Sequence, residues 1–207
     1  MITVLGKSTS INVRKVLWTL AALKQPFQQE EWGSGFRDAN APEFLALNPN
    51  AMVPVLRDDE LVLWESNTIS RYLAAAYGNG ALLPTGPRER ALVEQWMDWQ
   101  ATELNPAWRG AFMGLVRKSP QFADPAAIEA SAQAWNAKMA ILEGRLQKTG
   151  AYAAGAEFSL ADIVLGLSTN RWKMTPIRHA SLPAVEAWYE RLASQPGFQE
   201  HCANGTP

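Results

Sequence analysis

Every strand signal in this chain lies before about residue 88, and everything after it is patterned as helix. That break constrains the fold more than any motif does, because it divides the chain into a mixed unit and an all-helical one. In the mixed part, residues 2–5 read as a short apolar strand, followed by a polar turn and by Val13, Val16, Leu17 and Leu20 at helical spacing. A weaker strand is expected over 27–32 after Pro26, and a short helix over 42–47. Residues 53–56 and 61–64 form two β-prone runs around the polar turn Arg57-Asp58-Asp59-Glu60, and Ile69, Tyr72, Leu73 and Tyr77 continue as a helix. The order is βαβαββα. One residue resists this pattern: Pro54 sits inside the apolar run MVPVL, although proline has no N–H for a sheet ladder and is confined to edges, ends or bulges.

Beyond a stretch of linker composition containing Gly80, Pro84, Gly86 and Pro87, the spacing of Leu92, Trp96, Trp99, Leu104, Trp108, Phe112 and Leu115 predicts one long amphipathic helix kinked near Pro106. Further helices are expected over 126–146, 159–172 and 183–193. Ser159 and Asp162, with Phe158 and Ile163 flanking them, have the spacing of a capping box and hydrophobic staple. That pattern is a folding signal.

The formal net charge of −1 supplies no basic field, so neither nucleic acid nor a membrane surface is an expected partner. A small molecule or another protein is. Cys202 is the one cysteine, which excludes an internal disulfide and a C-x-x-C redox pair. With two histidines, His179 and His201, both late in the chain, a His-based metal site or triad is not expected, and no metal is. No window approaches the roughly 20 apolar residues of a membrane span, so the chain reads as soluble and cytoplasmic.

Four landmarks then occur in one order: SINVRKV, NPNAMVPVL, WESNTI and FSLADI. Together they resemble a cytosolic-type glutathione S-transferase of the bacterial branch similar to the theta and nu classes, over essentially the whole chain. The resemblance implies a thioredoxin-like glutathione-binding domain at 1–78, a linker at 79–87 and an all-helical domain at 88–207 that lines the electrophile pocket. It also implies that the Val53–Pro54 bond is cis, which would leave Val53 free to offer its N–H and C=O to an extended peptide such as glutathione, beside Met52.

The unpaired N–H groups at a helix start favour an anion, so Ser66 can bind a γ-glutamyl carboxylate and Glu65 its ammonium; from the residues alone, Ser66 or Asn67 could equally be a cap. Catalysis in this family needs a glutathione thiolate. A free thiol has a pKa of about 8.5, and each unit of lowering requires about 1.4 kcal/mol of preferential stabilisation of the anion. The candidate donors are Ser8, Thr9, Ser10 and Asn12 in the turn into the first helix, each also readable as a cap residue. Counting back from Val16, the resemblance implies Ser10 as donor, with Asn12 as its rival. For the glycyl carboxylate the candidates are Arg37, by its charge, and Asn40; for the electrophile they are Trp108, Phe112 and Met113, spaced to share one face with Arg109 beside them, a stripe that also fits ordinary core.

The expected reaction is nucleophilic attack of bound glutathione, a co-substrate, on a small electrophile by a homodimeric enzyme. A glutathione-dependent dehalogenase, isomerase, peroxidase or disulfide reductase, or a non-catalytic glutathione-binding or assembly module, would fit the same fold.

Overall fold

The computed structural model describes residues 1–207. The chain forms two compact units, Met1–Thr85 with Ser194–Thr206, and Gly86–Ala193 with Pro207.

The first unit runs β1 (Ile2–Leu5), α1 (Ile11–Ala22), β2 (Gln28–Glu30), α2 (Pro42–Leu45), β3 (Val55–Asp58), β4 (Leu61–Trp64) and α3 (Ser66–Tyr77). The sheet order is β2-β1-β3-β4, with β1 parallel to β2 and antiparallel to β3, and β3 antiparallel to β4. This is the expected thioredoxin-like βαβαββα unit. Strand side chains alternate between faces. Ile2, Val4 and Leu56 therefore pack with Val13, Val16, Leu17 and Leu20 of α1 and Ile69 and Leu73 of α3. On the other face, Leu5 and Val55 pack with Trp32 and Phe44.

Two details depart from expectation. The strand expected over 27–32 is shorter, because the chain turns at Gly33 (φ +102°) and Trp32 leaves the sheet to stack on Phe44 at 5.0 Å. The hydroxyls of Tyr72 and Tyr77, placed by spacing on an apolar face, both donate to the Asp58 carboxylate.

A larger departure concerns the last segment. The sequence places it with the helical domain, yet Ser194–Thr206 belongs to the first unit and lies along α1. Trp18 meets Phe198 edge to face at 5.6 Å and donates its indole N–H to the Pro196 carbonyl at 3.0 Å. Gly197 makes the approach possible: its φ is +80°, and a Cβ there would lie 2.6 Å from that of Ala21. The π-type turn Phe198–Cys202 that follows buries His201.

Burial pushes the His201 imidazole below its ordinary value; Glu200 opposes that shift and Arg14 reinforces it. The unfolded chain therefore takes up this proton first as pH falls through about 6.5, and the folded state loses stability in acid. Thermal unfolding followed from about pH 7 to about pH 5 is expected to show a steeper fall in Tm for the wild type than for His201→Gln. Equal slopes would contradict this account of the buried imidazole.

The second unit comprises α4 (Pro87–Trp99), a π-type turn at Gln100–Leu104, α5 (Asn105–Leu115), α6 (Pro125–Thr149), α7 (Leu160–Met174) and α8 (Pro183–Leu192). The expected single helix runs without a break from 87 to 115, and just before Pro106 it passes through a π segment of the kind that accounts for many kinks. Gln100, 1% exposed, opens this segment, and its amide reaches Asn105 Oδ1 at 2.7 Å and Ser168 Oγ at 3.0 Å. Leu92, expected on the buried stripe, is 43% exposed.

Helices α5 and α6 approach closely where Gly110 and Gly114 face Ser131 and Ile128. The Ser131 hydroxyl enters the α5 backbone there, donating to Ala107 C=O at 2.6 Å and accepting from Ala111 N–H at 2.9 Å. Residues 160–172 of α7 are buried throughout, as befits a central helix that is apolar on most sides. Its start is the expected capping box, with Ser159 N–H donating to Asp162 at 2.9 Å. At α8 the cap comes from elsewhere, since Glu143 of α6 accepts from the N–H groups of Ala184 and Val185 at 3.1 and 2.9 Å. No helix is long and apolar enough to cross a membrane.

Candidate functional site

The turn between β1 and α1 brings Ser10 to the N-cap of α1, where its C=O accepts from Arg14 N–H at 2.9 Å. Its side chain makes no capping hydrogen bond, so the hydroxyl is not consumed by the helix. Ser8 and Thr9 are exposed. Asn12, in the first turn of α1, is partly exposed beside Ser10.

The Val53–Pro54 peptide is cis. Pairing with β1 begins only at Val55, opposite Leu5, so Val53 and its backbone groups lie outside the ladder. The loop before it is fixed by Asn48, 2% exposed, whose amide donates to Met52 C=O at 2.7 Å while its Oδ1 accepts from Asn50 N–H at 3.1 Å and Asn50 Nδ2 at 2.9 Å. The spacing N-P-N ahead of the proline carries this loop, although neither asparagine is assigned a role from sequence.

Glu65 precedes α3 with φ +71°, a left-handed conformation rare for a residue with a Cβ and costing of order 1–3 kcal/mol. Backbone strain of this kind is concentrated at functional sites. Ser66, 7% exposed, opens α3, and the Glu65 side chain makes no capping hydrogen bond. Asn67, the other capping candidate, accepts from Lys15 Nζ at 3.2 Å.

These pieces meet at two adjoining cavities of the first unit. One, of about 250 Å³, is lined by Asn12, Asn48, Asn50, Met52 to Pro54, Glu65 and Ser66. The other, of about 390 Å³, includes Ser10, Asn12, Lys7, Asp38, Asn40, Met52 and Val53 in its wall. Asn12, Met52 and Val53 border both. The N-termini of α1 and α3 thus flank one continuous strip whose middle is the Val53 backbone, and each terminus favours negative charge.

In the wall of the larger cavity, Asn40 gives its backbone N–H to Asp38 at 2.9 Å and its amide at 3.0 Å, which holds the Asp38 carboxyl below the usual range. Arg37 is not part of this wall. It is exposed, pairs with Glu30 at 3.2 Å and lies over the Trp32 ring, because the sheet edge supplies a carboxylate that local spacing does not reveal. Lys7 is the cation in the wall, its Nζ donating to Ser34 C=O at 3.0 Å. Its signal in the sequence was a basic residue in the polar turn before α1.

The residues assigned to the electrophile lie in the second unit, and they do not share one face. Trp108 and Phe112 meet edge to face at 5.4 Å, and Phe112, 2% exposed, is core. The buried Arg171 guanidinium lies 4.5 Å from the Trp108 ring centre and 4.1 Å from that of Phe112. Arg109 turns instead to Phe122, at 5.8 Å, and Met113 is half-buried. Helical positions four apart align whereas adjacent ones diverge, so Trp108 pairs with Phe112 and Arg109 leaves them.

Comparison with known proteins agrees with the architecture in both units. The family described as the N-terminal domain of glutathione S-transferase matches residues 1–75, and that described as its C-terminal domain matches residues 108–196. The chain is 42% identical over 202 residues to glutathione S-transferase GstB of Escherichia coli strain K12, covering 97% of each protein. It is 30% identical to glutathione S-transferase 1 of Manduca sexta, covering 93% of this chain and 88% of that one. Among solved structures, a theta-class glutathione S-transferase from Xanthomonas axonopodis pv. citri with glutathione bound superposes with a TM-score of 0.92 at 38% identity, covering 100% of this chain and 99% of the other. On its sequence and on its fold, the chain belongs to the glutathione S-transferase family.

Proposed function

We propose that the chain is a glutathione transferase that binds glutathione extended along the two adjoining cavities and presents its thiolate to a small electrophile. The observation that carries this reading is the Val53 backbone, outside the sheet ladder, lining two adjoining cavities together with residues from the starts of α1 and α3, with Lys7 in the wall of the larger one. Glutathione carries negative charge at three places when its thiol is ionised, and one ammonium. The strip offers a matching partner for each.

In this reading Val53 pairs with the peptide by strand addition. The first N–H groups and hydroxyl of α3 at Ser66 hold the γ-glutamyl carboxylate, and Glu65 receives the ammonium. Lys7, with Asn40 beside it, faces the glycyl carboxylate. Ser10 donates to the sulfur, and Asn12, bordering both cavities, supplies the second donor. A donated hydrogen bond together with the α1 terminus can lower the thiol pKa by about one to two units, enough to make the thiolate abundant near neutral pH. Cys202 is 0% exposed, so the protein contributes no thiol of its own and the reducing sulfur is that of glutathione.

Ser66→Ala tests how the γ-glutamyl end is held. Glutathione affinity measured by calorimetry is expected to fall about 10- to 100-fold, since a hydrogen bond to a charged group is worth roughly 1.5–3 kcal/mol. Unchanged affinity would remove Ser66 from the site. Homodimerisation and cytoplasmic residence belong to the same reading. A sedimentation mass of two 22.8 kDa chains at micromolar concentration is expected, and a single-chain mass would contradict it.

A further inference from the structure

The first turn of α1 is gripped from outside the sequence motif that contains it. Arg14 closes that turn by donating its N–H to Ser10 C=O, and its side chain is 0% exposed. A buried guanidinium is costly unless its donors are satisfied. Here Nη1 donates to Thr206 C=O at 2.8 Å and to Asn204 Oδ1 at 3.3 Å.

Asn204 does more than accept. Its Oδ1 also takes the Thr206 N–H at 3.0 Å, which aims the Thr206 carbonyl at Arg14, and its amide donates to Glu200 C=O at 3.0 Å. The same segment holds Trp18 one turn further along α1, through the Pro196 carbonyl and the Phe198 ring. Positions 14 and 18 are neighbours on one helix face, so the segment fixes both the roll and the axial position of α1. Ser10 and Asn12, at the N-terminal end of that helix, line the cavities.

We infer that Arg14 is a positioning residue for thiol activation, acting through Ser10 and Asn12, and that the C-terminal segment carrying Asn204 and Thr206 is the strap that holds it. The inference rests on the glutathione-transferase reading and deepens it. A donor that has to meet a sulfur is sensitive to displacements well below a helical turn, and productive geometry lost at a distance from the chemistry is known to slow reactions. The strap would therefore set the strength of thiolate stabilisation while leaving the γ-glutamyl and glycyl contacts alone.

Asn204 is exposed, so Asn204→Ala tests the strap in the full chain without opening a core. The thiol pKa in the glutathione complex, kcat and the KM for glutathione are measured for the wild type, Asn204→Ala and Asn204→Asp. Asn204→Ala is expected to raise the bound thiol's pKa by about half a unit and to lower kcat about threefold below that pKa, with KM within about twofold. Asn204→Asp keeps an acceptor for Arg14 and Thr206 but loses the donor to Glu200 C=O, and is expected to restore both values in part. An unchanged pKa in Asn204→Ala, whether kcat holds or falls, against a lowered wild-type pKa, would overturn the strap's role and leave the transferase reading standing. A wild-type thiol pKa that is not lowered would overturn both.

Discussion

Asp162→Ala is expected to destabilise the second unit by at least about 3 kcal/mol, a large fraction of the roughly 5–15 kcal/mol by which a typical domain is stable. The carboxylate is 0% exposed and accepts at both oxygens. Oδ1 takes the Ala153 N–H at 2.8 Å and the Trp188 indole N–H at 2.9 Å, while Oδ2 takes the Ser159 N–H and hydroxyl, each at 2.9 Å. Burial pushes the Asp162 carboxyl up, and these donors pull it back. Alanine would strand the backbone donors and the indole inside the protein, at roughly 1–3 kcal/mol for each one left unsatisfied. Asp162→Asn is expected to recover only part of the loss, because its amide nitrogen would face one pair of donors. Chemical denaturation read by tryptophan fluorescence measures both variants. A midpoint within experimental error of the wild type for Asp162→Ala would contradict this account of the capping box as the anchor joining α7, α8 and the loop before α7.

The largest functional effect is expected from losing both thiol donors. Ser10→Ala alone should cost about 3- to 10-fold in kcat near neutral pH, and the double variant with Asn12→Ala about 10- to 100-fold, the loss of thiolate that one to two pKa units represent. The KM for glutathione should change little, because the γ-glutamyl and glycyl ends are held elsewhere in the strip. The two side chains differ in placement: Ser10 is the N-cap residue with its hydroxyl uncommitted to the helix, and Asn12 borders both cavities. Steady-state kinetics with a chromogenic electrophile separates them. A double variant that retains wild-type turnover would remove both residues from the chemistry.

How much of this was legible in the sequence depends on the range of each interaction. The βαβαββα order and the α7 capping box are local patterns, and they were readable because their partners lie within a few residues. The Val53–Pro54 position was readable for another reason, a proline inside a strand run, whereas Glu65 and Ser66 are ordinary helix-start residues to which only the family resemblance gave meaning. What sequence missed was long-range. Gln100 reaches Ser168, 68 residues on, and Glu143 caps a helix 41 residues away. Arg37 went to Glu30, across a turn, and left Lys7 as the cation of the cavity wall. Arg14 and Lys15 are 0% and 2% exposed, because the C-terminal segment and α3 bring carbonyl and amide acceptors to them. No periodicity in residues 194–206 announces that segment as a partner for α1.

The central claim is that the first unit binds glutathione and ionises its thiol. The most direct test is an ultraviolet titration of thiolate absorbance against pH in the complex of the purified protein with glutathione. The account predicts a thiol pKa about one to two units below that of free glutathione, restored toward the free value in Ser10→Ala or Asn12→Ala. Saturable binding with an unshifted thiol would contradict the account, leaving a glutathione-binding module in place of a transferase.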